Sequence, residues 1–270
     1  MTQSLPVSTI QTAGTEAQHE SATPDEAAPE ITSTEKPAPK LRSEPKWMAD
    51  AQERVRAHIR KMARPMQEML ARDANEGDTR FMVTDFLTDA FGFDKYEDLT
   101  TEYQVKGEFA DYGIRIDRQL VAFVEVKRIS QQLSERHLRQ VQMYAVNEGV
   151  EWMLLTNGRV WQVWHMTGGL PVQLDLVLDV DLLAPNTTPK SAADKLWHLA
   201  KEALRRRTIE DVWRARAATA PKKLTEVILS ESVLAEVRRE LRRQTGYNAE
   251  ITDLANFISS TVIRQELTGL

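Results

Sequence analysis

The 270-residue sequence contains no cysteine, which excludes disulfide bonds, thiolate metal sites and cysteine nucleophiles. Its five histidines show neither the HxH nor the HExxH spacing of a histidine-built zinc site. No stretch approaches the roughly 18 consecutive apolar residues of a membrane span, and the amino terminus lacks the basic start and apolar core of a signal peptide. We therefore expect a cytoplasmic protein without a membrane partner.

The formal net charge of −5 is unevenly distributed along the chain. Residues 1–45 hold seven acidic and three basic residues, so their balance is 3 − 7 = −4 and the remainder is near neutral. This segment is poor in large apolar residues and rich in Ser, Thr, Ala, Pro and Glu, a composition that predicts a disordered acidic tail. A near-neutral remainder with local basic patches is compatible with a nucleic-acid partner.

Beyond this tail the sequence divides into three predicted parts. Helically spaced apolar residues predict an N-terminal helix over residues 46–74, which Pro65 should kink or split. Residues 75–185 predict a mixed α/β domain in the order helix, three strands, helix, and two or three further strands. Residues 190–270 show apolar residues three and four apart and predict a helical C-terminal region.

Two helices of the mixed domain have predictable ends. Asp78 or Thr79 is expected to cap the first helix, with Phe81 on its apolar face. Ser134 is expected to cap the second helix, which should end at Gly149. An Asn-Gly pair after the next strand predicts a type I′ turn, because both residues tolerate positive φ.

The run LVAFVEVKR places a glutamate and a lysine inside an apolar strand that should lie centrally in the sheet. Alternation puts Glu125 and Lys127 on one face, while Phe123, Val124 and Val126 are expected to project in other directions. Two charges on a buried face are costly unless they pair or hold an ion. The pattern alone is compatible with a structural ion pair or with a functional site.

The neighbouring run ADYGIRI adds a second carboxylate. Asp111 begins a strand that can pair antiparallel with LVAFVEVKR, and the expected register brings it close to Glu125; Asp117 should serve only in the connecting turn. Two carboxylates and the Val126 carbonyl are suitable oxygen ligands for Mg²⁺, and Lys127 can orient or help deprotonate an attacking water. The alternative reading makes Asp111 a turn residue.

The order of the predicted elements, with Asp111 on one strand and Glu125, Val126 and Lys127 on the next, resembles the PD-(D/E)xK nuclease superfamily. The blocks TEYQVKGEFADYGIRI, FVEVKR, RQVQMYA and LLTNGRVWQVWHM resemble the N-terminal nuclease domain of type I restriction enzyme R subunits, across roughly residues 75–166. The resemblance implies an α/β (mixed α+β), restriction-endonuclease-like core with a central mixed sheet flanked by helices. It also implies a Mg²⁺-dependent endonuclease, with Mn²⁺ able to substitute, that hydrolyses DNA. Gln140 and Tyr144 match a glutamine and a tyrosine that follow the catalytic lysine in that family.

The sequence departs from the family in two ways. Ala110 stands where the superfamily motif has proline, and the chain lacks the GxxxxGK[ST] phosphate loop that a helicase-like motor needs. The chain is therefore expected to act as a stand-alone nuclease, to partner a separate motor or specificity subunit, or to serve as a non-catalytic DNA-binding or assembly module. A homodimer is also compatible with the sequence.

For several candidate site residues the sequence is compatible with two roles. Glu76, before the first helix, is a candidate additional acid near the metal, yet Asp78 competes with it and both can simply favour the positive helix start. Gln140 can instead cap a backbone group, and Tyr144 can belong to the core.

Basic residues beside the predicted cleft are candidates for phosphate contact, which gives affinity without base recognition. They are Arg128, Arg136 and Arg139. Two arginine clusters in the C-terminal region, within residues 205–207 and 238–243, can line a groove or form solvated helix faces balanced by neighbouring acids.

The composition of residues 1–45 leads to a first prediction. Removing this segment should leave the melting temperature and any nuclease activity nearly unchanged, because a segment without a core contributes little to folding. Thermal unfolding of the full-length and trimmed proteins, side by side, measures this. A large loss of stability in the trimmed protein would contradict the disordered-tail interpretation.

Overall fold

The structure is a computed structural model that describes residues 44–105, 107–169 and 172–263. The acidic tail expected over residues 1–45 lies outside the described residues, except for its last two positions. Within the described residues, no helix is both long enough and apolar enough to cross a membrane.

A six-stranded sheet forms the centre of the molecule, and its strands lie side by side in chain order. The strands are β1 (Leu99–Val105), β2 (Glu108–Ile116), β3 (Gln119–Val126), β4 (Trp152–Thr156), β5 (Val160–Thr167) and β6 (Gln173–Asp181). Neighbours run antiparallel except β3 and β4, which are parallel because a helix crosses between them. The sheet is therefore mixed and β3 lies in its interior, as predicted.

Helices precede, interrupt and follow the sheet, which confirms the predicted fold class and the helical C-terminal region. They are α1 (Lys46–Ala71), α2 (Glu76–Asp85), α3 (Glu135–Glu148), α4 (Pro189–Leu196), α5 (Lys201–Arg205), α6 (Thr208–Ala218), α7 (Pro221–Ile228), α8 (Glu231–Thr245) and α9 (Ile251–Phe257). A π-helical turn, Phe86–Ala90, continues α2, and a second, Ile258–Val262, continues α9. A 3-10 turn, Trp197–Leu199, links α4 to α5.

Two apolar clusters cover the two faces of the sheet. The larger cluster joins α1, α2, α4 and α6 to the face that carries Val124, Val126 and the fully buried Trp161. The smaller cluster joins α3 to the opposite face, which carries Phe123. Because residues two apart on a strand project to the same side, Glu125 shares the side of Phe123. The expectation that Phe123 projects away from Glu125 is therefore wrong.

The split of helix α1 that was one of the two outcomes predicted at Pro65 does not occur. The helix continues unbroken through Pro65, which is exposed. A proline inside a helix leaves one carbonyl without its usual N–H partner, but on the solvent side water can satisfy that carbonyl. The buried side of α1, with Val55, Met62 and Met66, packs into the larger cluster and so belongs to the core of the sheet.

The N-cap of helix α2 lies three residues before Asp78, the earlier of its two expected caps. Asn75 is the N-cap, and its side chain accepts a hydrogen bond from the backbone N–H of Asp78 at 2.8 Å. Thr79 lies inside the helix, and its hydroxyl accepts a hydrogen bond from the backbone N–H of Ile129 at 3.1 Å. Phe81 is 76% exposed and does not contribute to the apolar face. The expected cap and the expected role of Phe81 are both wrong.

Helix α3 agrees with its prediction. It begins after the N-cap Ser134 and ends at Gly149, which adopts the left-handed conformation with φ 68°. Its buried side faces the sheet through Leu138, Val141, Tyr144 and Ala145.

The turn with two positive φ angles lies in a different hairpin from the predicted one. Asp117 and Arg118, with φ 51° and 69°, form the two-residue connection between β2 and β3. In the β4–β5 connection only Gly158 has positive φ, and the Asn157 side chain accepts a hydrogen bond from the backbone N–H of Val160 at 2.7 Å. The Asn157 side chain thus organises a longer loop, and the prediction of a type I′ turn there is wrong.

Gly158 provides a test of this packing. A Cβ atom at Gly158 would overlap the terminal methyl of the buried Met82, whereas a Cβ atom at Gly149 would meet open space. Alanine at either position is strained by about 1–2 kcal/mol because φ is positive. We expect Gly158→Ala to lower the free energy of unfolding by about 1 kcal/mol more than Gly149→Ala, because Met82 must repack. Urea denaturation measures both losses, and equal losses would show that the Met82 contact contributes nothing.

Candidate functional site

Two buried carboxylates lie on adjacent strands in the middle of the sheet. Strands β2 and β3 pair antiparallel with Tyr112 opposite Val124, and this register puts Asp111 opposite Glu125. Asp111 is 8% exposed and Glu125 is 2% exposed. Oδ2 of Asp111 accepts a hydrogen bond from the backbone N–H of Val126 at 2.7 Å, which holds the aspartate against β3. The structure therefore brings together the two acids that the sequence singled out.

Burial and mutual repulsion change the ionisation of this pair. Burial, reinforced by the charge of Asp111, raises the pKa of Glu125 to about 7, although Lys127 favours its ionised form. Burial also raises the pKa of Asp111, against the opposing effects of the Val126 N–H and of Arg80. A positive ion between the two carboxylates would relieve both costs.

Lys127 begins a chain of polar contacts that runs from Glu125 into α3. Its Nζ donates to Oε1 of Glu125 at 2.5 Å and lies 3.4 Å from Oε1 of Gln140. Nε2 of Gln140 donates to the Tyr144 hydroxyl at 3.0 Å, and that hydroxyl donates to the carbonyl of Phe109 on β2 at 3.0 Å. Gln140 and Tyr144 lie one helical turn apart, so one face of α3 presents both toward the strands. Tyr144 is at once a core residue and a member of this chain.

Arg80 on α2 contacts the carboxylates, and the sequence reasoning missed it. Its Nη2 lies 2.8 Å from Oδ1 of Asp111 and 3.8 Å from Oε1 of Glu76, and its Nη1 lies 3.9 Å from Oε1 of Glu102. A signal was available, because Glu76 and Arg80 are four residues apart and such residues share one face of a helix.

Glu76 and Asp78, the two candidates for an additional acid, occupy different environments. Glu76 is the first residue of α2. Burial is the main cause of the raised pKa of Asp111 and of Glu125, and the charge of Glu76 adds to it, so Glu76 lies near the carboxylate pair. Asp78 instead pairs with Arg72 at 3.1 Å.

The side chains are chemically suited to a hard divalent cation. Oε2 of Glu125 is buried and has no hydrogen-bond partner among the described residues, so one oxygen of the site is available for a ligand. The described residues contain no cluster of three or more His, Cys, Asp or Glu side chains placed to enclose a metal. Mg²⁺ does not require such a cage, because it commonly binds through one or two carboxylates and keeps several waters. The Asp111–Glu125 pair fits that mode.

The predicted DNA-contact arginines are exposed, and two of them form surface ion pairs. Arg128 lies 3.2 Å from Asp73, and Arg139 lies 3.5 Å from Glu135. Burial, together with the charges of Lys127 and Arg136, lowers the pKa of His137. Surface ion pairs of this kind are weak, so a phosphate can replace the carboxylate.

The two C-terminal arginine clusters are largely balanced by acids. Arg205 lies 2.6 Å from Asp117, and Arg207 pairs with Glu210. In α8, Arg239 lies 2.9 Å from Glu236, and Arg243 lies 2.5 Å from Glu240. These contacts favour the reading of solvated, internally balanced helix faces.

Together these features define a restriction-endonuclease-like domain: a mixed sheet, a helix crossing between parallel strands, and two carboxylates followed by a lysine. Residues 75–173, from the cap of α2 to the first residue of β6, match the family described as type I restriction enzyme R protein N terminus. This match confirms, for that segment of the chain, the resemblance seen in the sequence. Neither curated proteins nor solved structures give a significant match to the chain.

The raised pKa of Glu125 predicts a pH dependence of stability. An unfolded glutamate ionises near pH 4.5 and the folded one near pH 7, so the folded state holds an extra proton between these values. The free energy of unfolding should therefore fall as pH rises through this window, by on the order of 3 kcal/mol from this group in metal-free protein.

Three histidines change the free energy of unfolding in the opposite direction. Burial lowers the pKa of His58, His165 and His198, so the stability that they contribute in the neutral form is lost as pH falls. The difference between parent and Glu125→Gln isolates the glutamate. Urea denaturation in EDTA from pH 5 to 8 measures it, with the exposed Glu135→Gln as control. A pH-independent difference between parent and Glu125→Gln would show that Glu125 ionises normally.

Proposed function

We propose that this protein is a Mg²⁺-dependent endonuclease that hydrolyses DNA phosphodiester bonds, with Mn²⁺ able to substitute. The observation that carries the proposal is the buried pair Asp111 and Glu125 on adjacent strands, with Lys127 beside Glu125 at 2.5 Å. The match of residues 75–173 to the type I restriction enzyme R protein N terminus supports the same reaction class. A purely structural role would not require two repelling carboxylates in one buried place.

Asp111, Glu125 and the Val126 carbonyl are the proposed metal ligands, and Glu76 is an additional acid at the edge of the site. A divalent ion bound there supplies positive charge to the phosphate and lowers the pKa of a bound water. Asp111 is held in place by the Val126 N–H, so it does not have to reorganise to serve as a ligand.

Lys127 is the proposed catalytic side chain that orients the attacking water and stabilises charge developing on the phosphate. Gln140 and Tyr144 are positioning residues. Gln140 lies 3.4 Å from the lysine, and Tyr144 holds Gln140 while its own hydroxyl is anchored on the Phe109 carbonyl. These contacts limit the positions that the flexible Lys127 side chain can adopt. Gln140 and Tyr144 would contribute to the rate by this restriction.

Arg128, Arg136 and Arg139 are proposed to contact DNA phosphates. Arg128 follows Lys127 directly after β3, and Arg136 and Arg139 lie in the first turns of α3, the helix that carries Gln140. Contacts of this kind position a duplex without reading its sequence. We further propose that target choice, and any movement along DNA, come from a separate motor or specificity subunit in the cytoplasm.

The test is incubation of purified protein with plasmid and Mg²⁺ or Mn²⁺, beside Lys127→Ala. We expect the parent to cut and the variant to cut at a rate lower by on the order of 10²-fold or more, the scale of losing one positioned catalytic group. The variant should still fold in Mg²⁺ and melt within a few degrees of the parent. Without Lys127, Glu125 can be neutralised by the ion or by the proton that its pKa of about 7 permits.

The matched control is Lys61→Ala, which removes an exposed lysine that also pairs with a carboxylate, Asp89 at 3.4 Å. This variant should cut like the parent. Severe destabilisation of Lys127→Ala that Mg²⁺ cannot restore would favour a structural Glu125–Lys127 pair. A parent that binds DNA without cutting it would identify a non-catalytic binding or assembly module.

A further inference from the structure

The backbone at Arg80 is fixed to β2 directly beside the carboxylate site. The Tyr112 hydroxyl donates to the carbonyl of Arg80 at 3.0 Å and contacts the Thr84 hydroxyl at 2.8 Å. The Thr84 hydroxyl also donates to the Arg80 carbonyl, at 2.9 Å. Because Tyr112 follows Asp111 in β2, these contacts set the distance between the Arg80 backbone and the Asp111 carboxylate.

The side chain of Arg80 is held less tightly than its backbone. One-third of it is exposed, and its Nε is buried without a hydrogen-bond partner among the described residues. Its 2.8 Å contact with Asp111 is the closest of its three ion pairs, and the other two lead outward to Glu76 and to the largely exposed Glu102. The guanidinium can therefore leave Asp111 and remain near acids at the edge of the site.

We propose that Arg80 is a displaceable cation of this site. In the metal-free protein its guanidinium pairs with the Asp111 carboxylate. When a divalent ion binds, the guanidinium leaves Asp111 and binds a DNA phosphate instead. The inference rests on the proposed function. It adds a residue that controls metal access and contributes to substrate binding.

Competition for Asp111 follows from the contacts of its two carboxylate oxygens, one with a backbone N–H and one with a guanidinium. Oδ2 receives the Val126 N–H, which belongs to the sheet and cannot move away. Oδ1 pairs with the Arg80 guanidinium, so a metal that binds this oxygen must displace the guanidinium or share the oxygen with it. Two cations on one carboxylate oxygen repel each other, and the mobile one is the arginine. Metal binding should therefore release Arg80.

A DNA phosphate is the occupant best suited to the released guanidinium. Arginine presents a planar fork of donors that matches phosphate oxygens in a bidentate contact. The substrate brings a phosphate to the same carboxylates, within reach of a side chain whose backbone cannot drift away. The phosphate thus replaces Asp111 as the negatively charged partner of the Arg80 guanidinium.

The experiment is calorimetric titration of Mn²⁺ into full-length parent, Arg80→Ala, Arg80→Gln and Arg80→Lys. Removing the competing charge should tighten metal binding about tenfold in the two neutral variants, within the usual range of coupling between sites. Arg80→Lys keeps the charge and should bind Mn²⁺ like the parent. Arg72→Ala is the matched control, because Arg72 pairs with Asp78 rather than with the site.

DNA affinity is measured in the Lys127→Ala background, where cleavage is prevented. All three Arg80 substitutions should weaken Mn²⁺-dependent DNA binding, because lysine cannot reproduce the bidentate contact. Thermal unfolding checks the folding of each variant, and Arg80→Gln remains informative if Arg80→Ala does not fold.

The outcomes separate this inference from the proposed function. Equal or weaker metal binding by the neutral variants, with a parent that binds Mn²⁺, would overturn the role of Arg80 alone. Mn²⁺ binding only after Arg80 is removed would support it strongly. Mn²⁺ binding by neither parent nor variants would overturn both proposals.

Discussion

Repulsion between two buried carboxylates on adjacent strands is the constraint on which the rest of this site depends. The pairing of β2 with β3 puts Asp111 opposite Glu125, and burial removes the water that would screen their charges. Each carboxylate has its own compensation: Lys127 for Glu125, and the Val126 N–H with Arg80 for Asp111. The two carboxylates lie on β2 and β3, and the groups that offset their repulsion come from β3, the residue that follows it, and α2. A change in the position of any of them alters the ionisation of the pair.

The crossing of α3 between β3 and β4 is the second organising feature. This connection makes β3 and β4 parallel and covers the Glu125 side of the sheet with the helix that carries Gln140 and Tyr144. On the other side, α2 contributes Glu76 and Arg80. The polar groups of the site therefore come from two helices and two strands. The apolar clusters on the two faces hold these four elements together.

Local patterns were sufficient to predict β3, α3 and the meeting of Asp111 with Glu125. Alternation fixes which residues share a strand face, and a short hairpin leaves little freedom in register. Features decided by distant contacts were not predictable in this way. Exposure of Pro65 depends on which side of α1 packs on the sheet, and the Arg80–Asp111 contact depends on the docking of α2 against β2. The positive φ of Asp117 and Arg118 went unnoticed because neither residue is glycine.

The order of the strands has a consequence for how the protein folds. Because the six strands lie in the sheet in the same order as in the chain, each pairing joins segments that are close in sequence. Proteins dominated by such near-neighbour contacts close small loops and fold faster than those that must join distant segments. All the polar residues of the site lie between Glu76 and Tyr144, whereas α4 to α6 pack on the opposite face. A chain emerging from the ribosome can therefore assemble the site-bearing strands before the helices that complete its core have been synthesised.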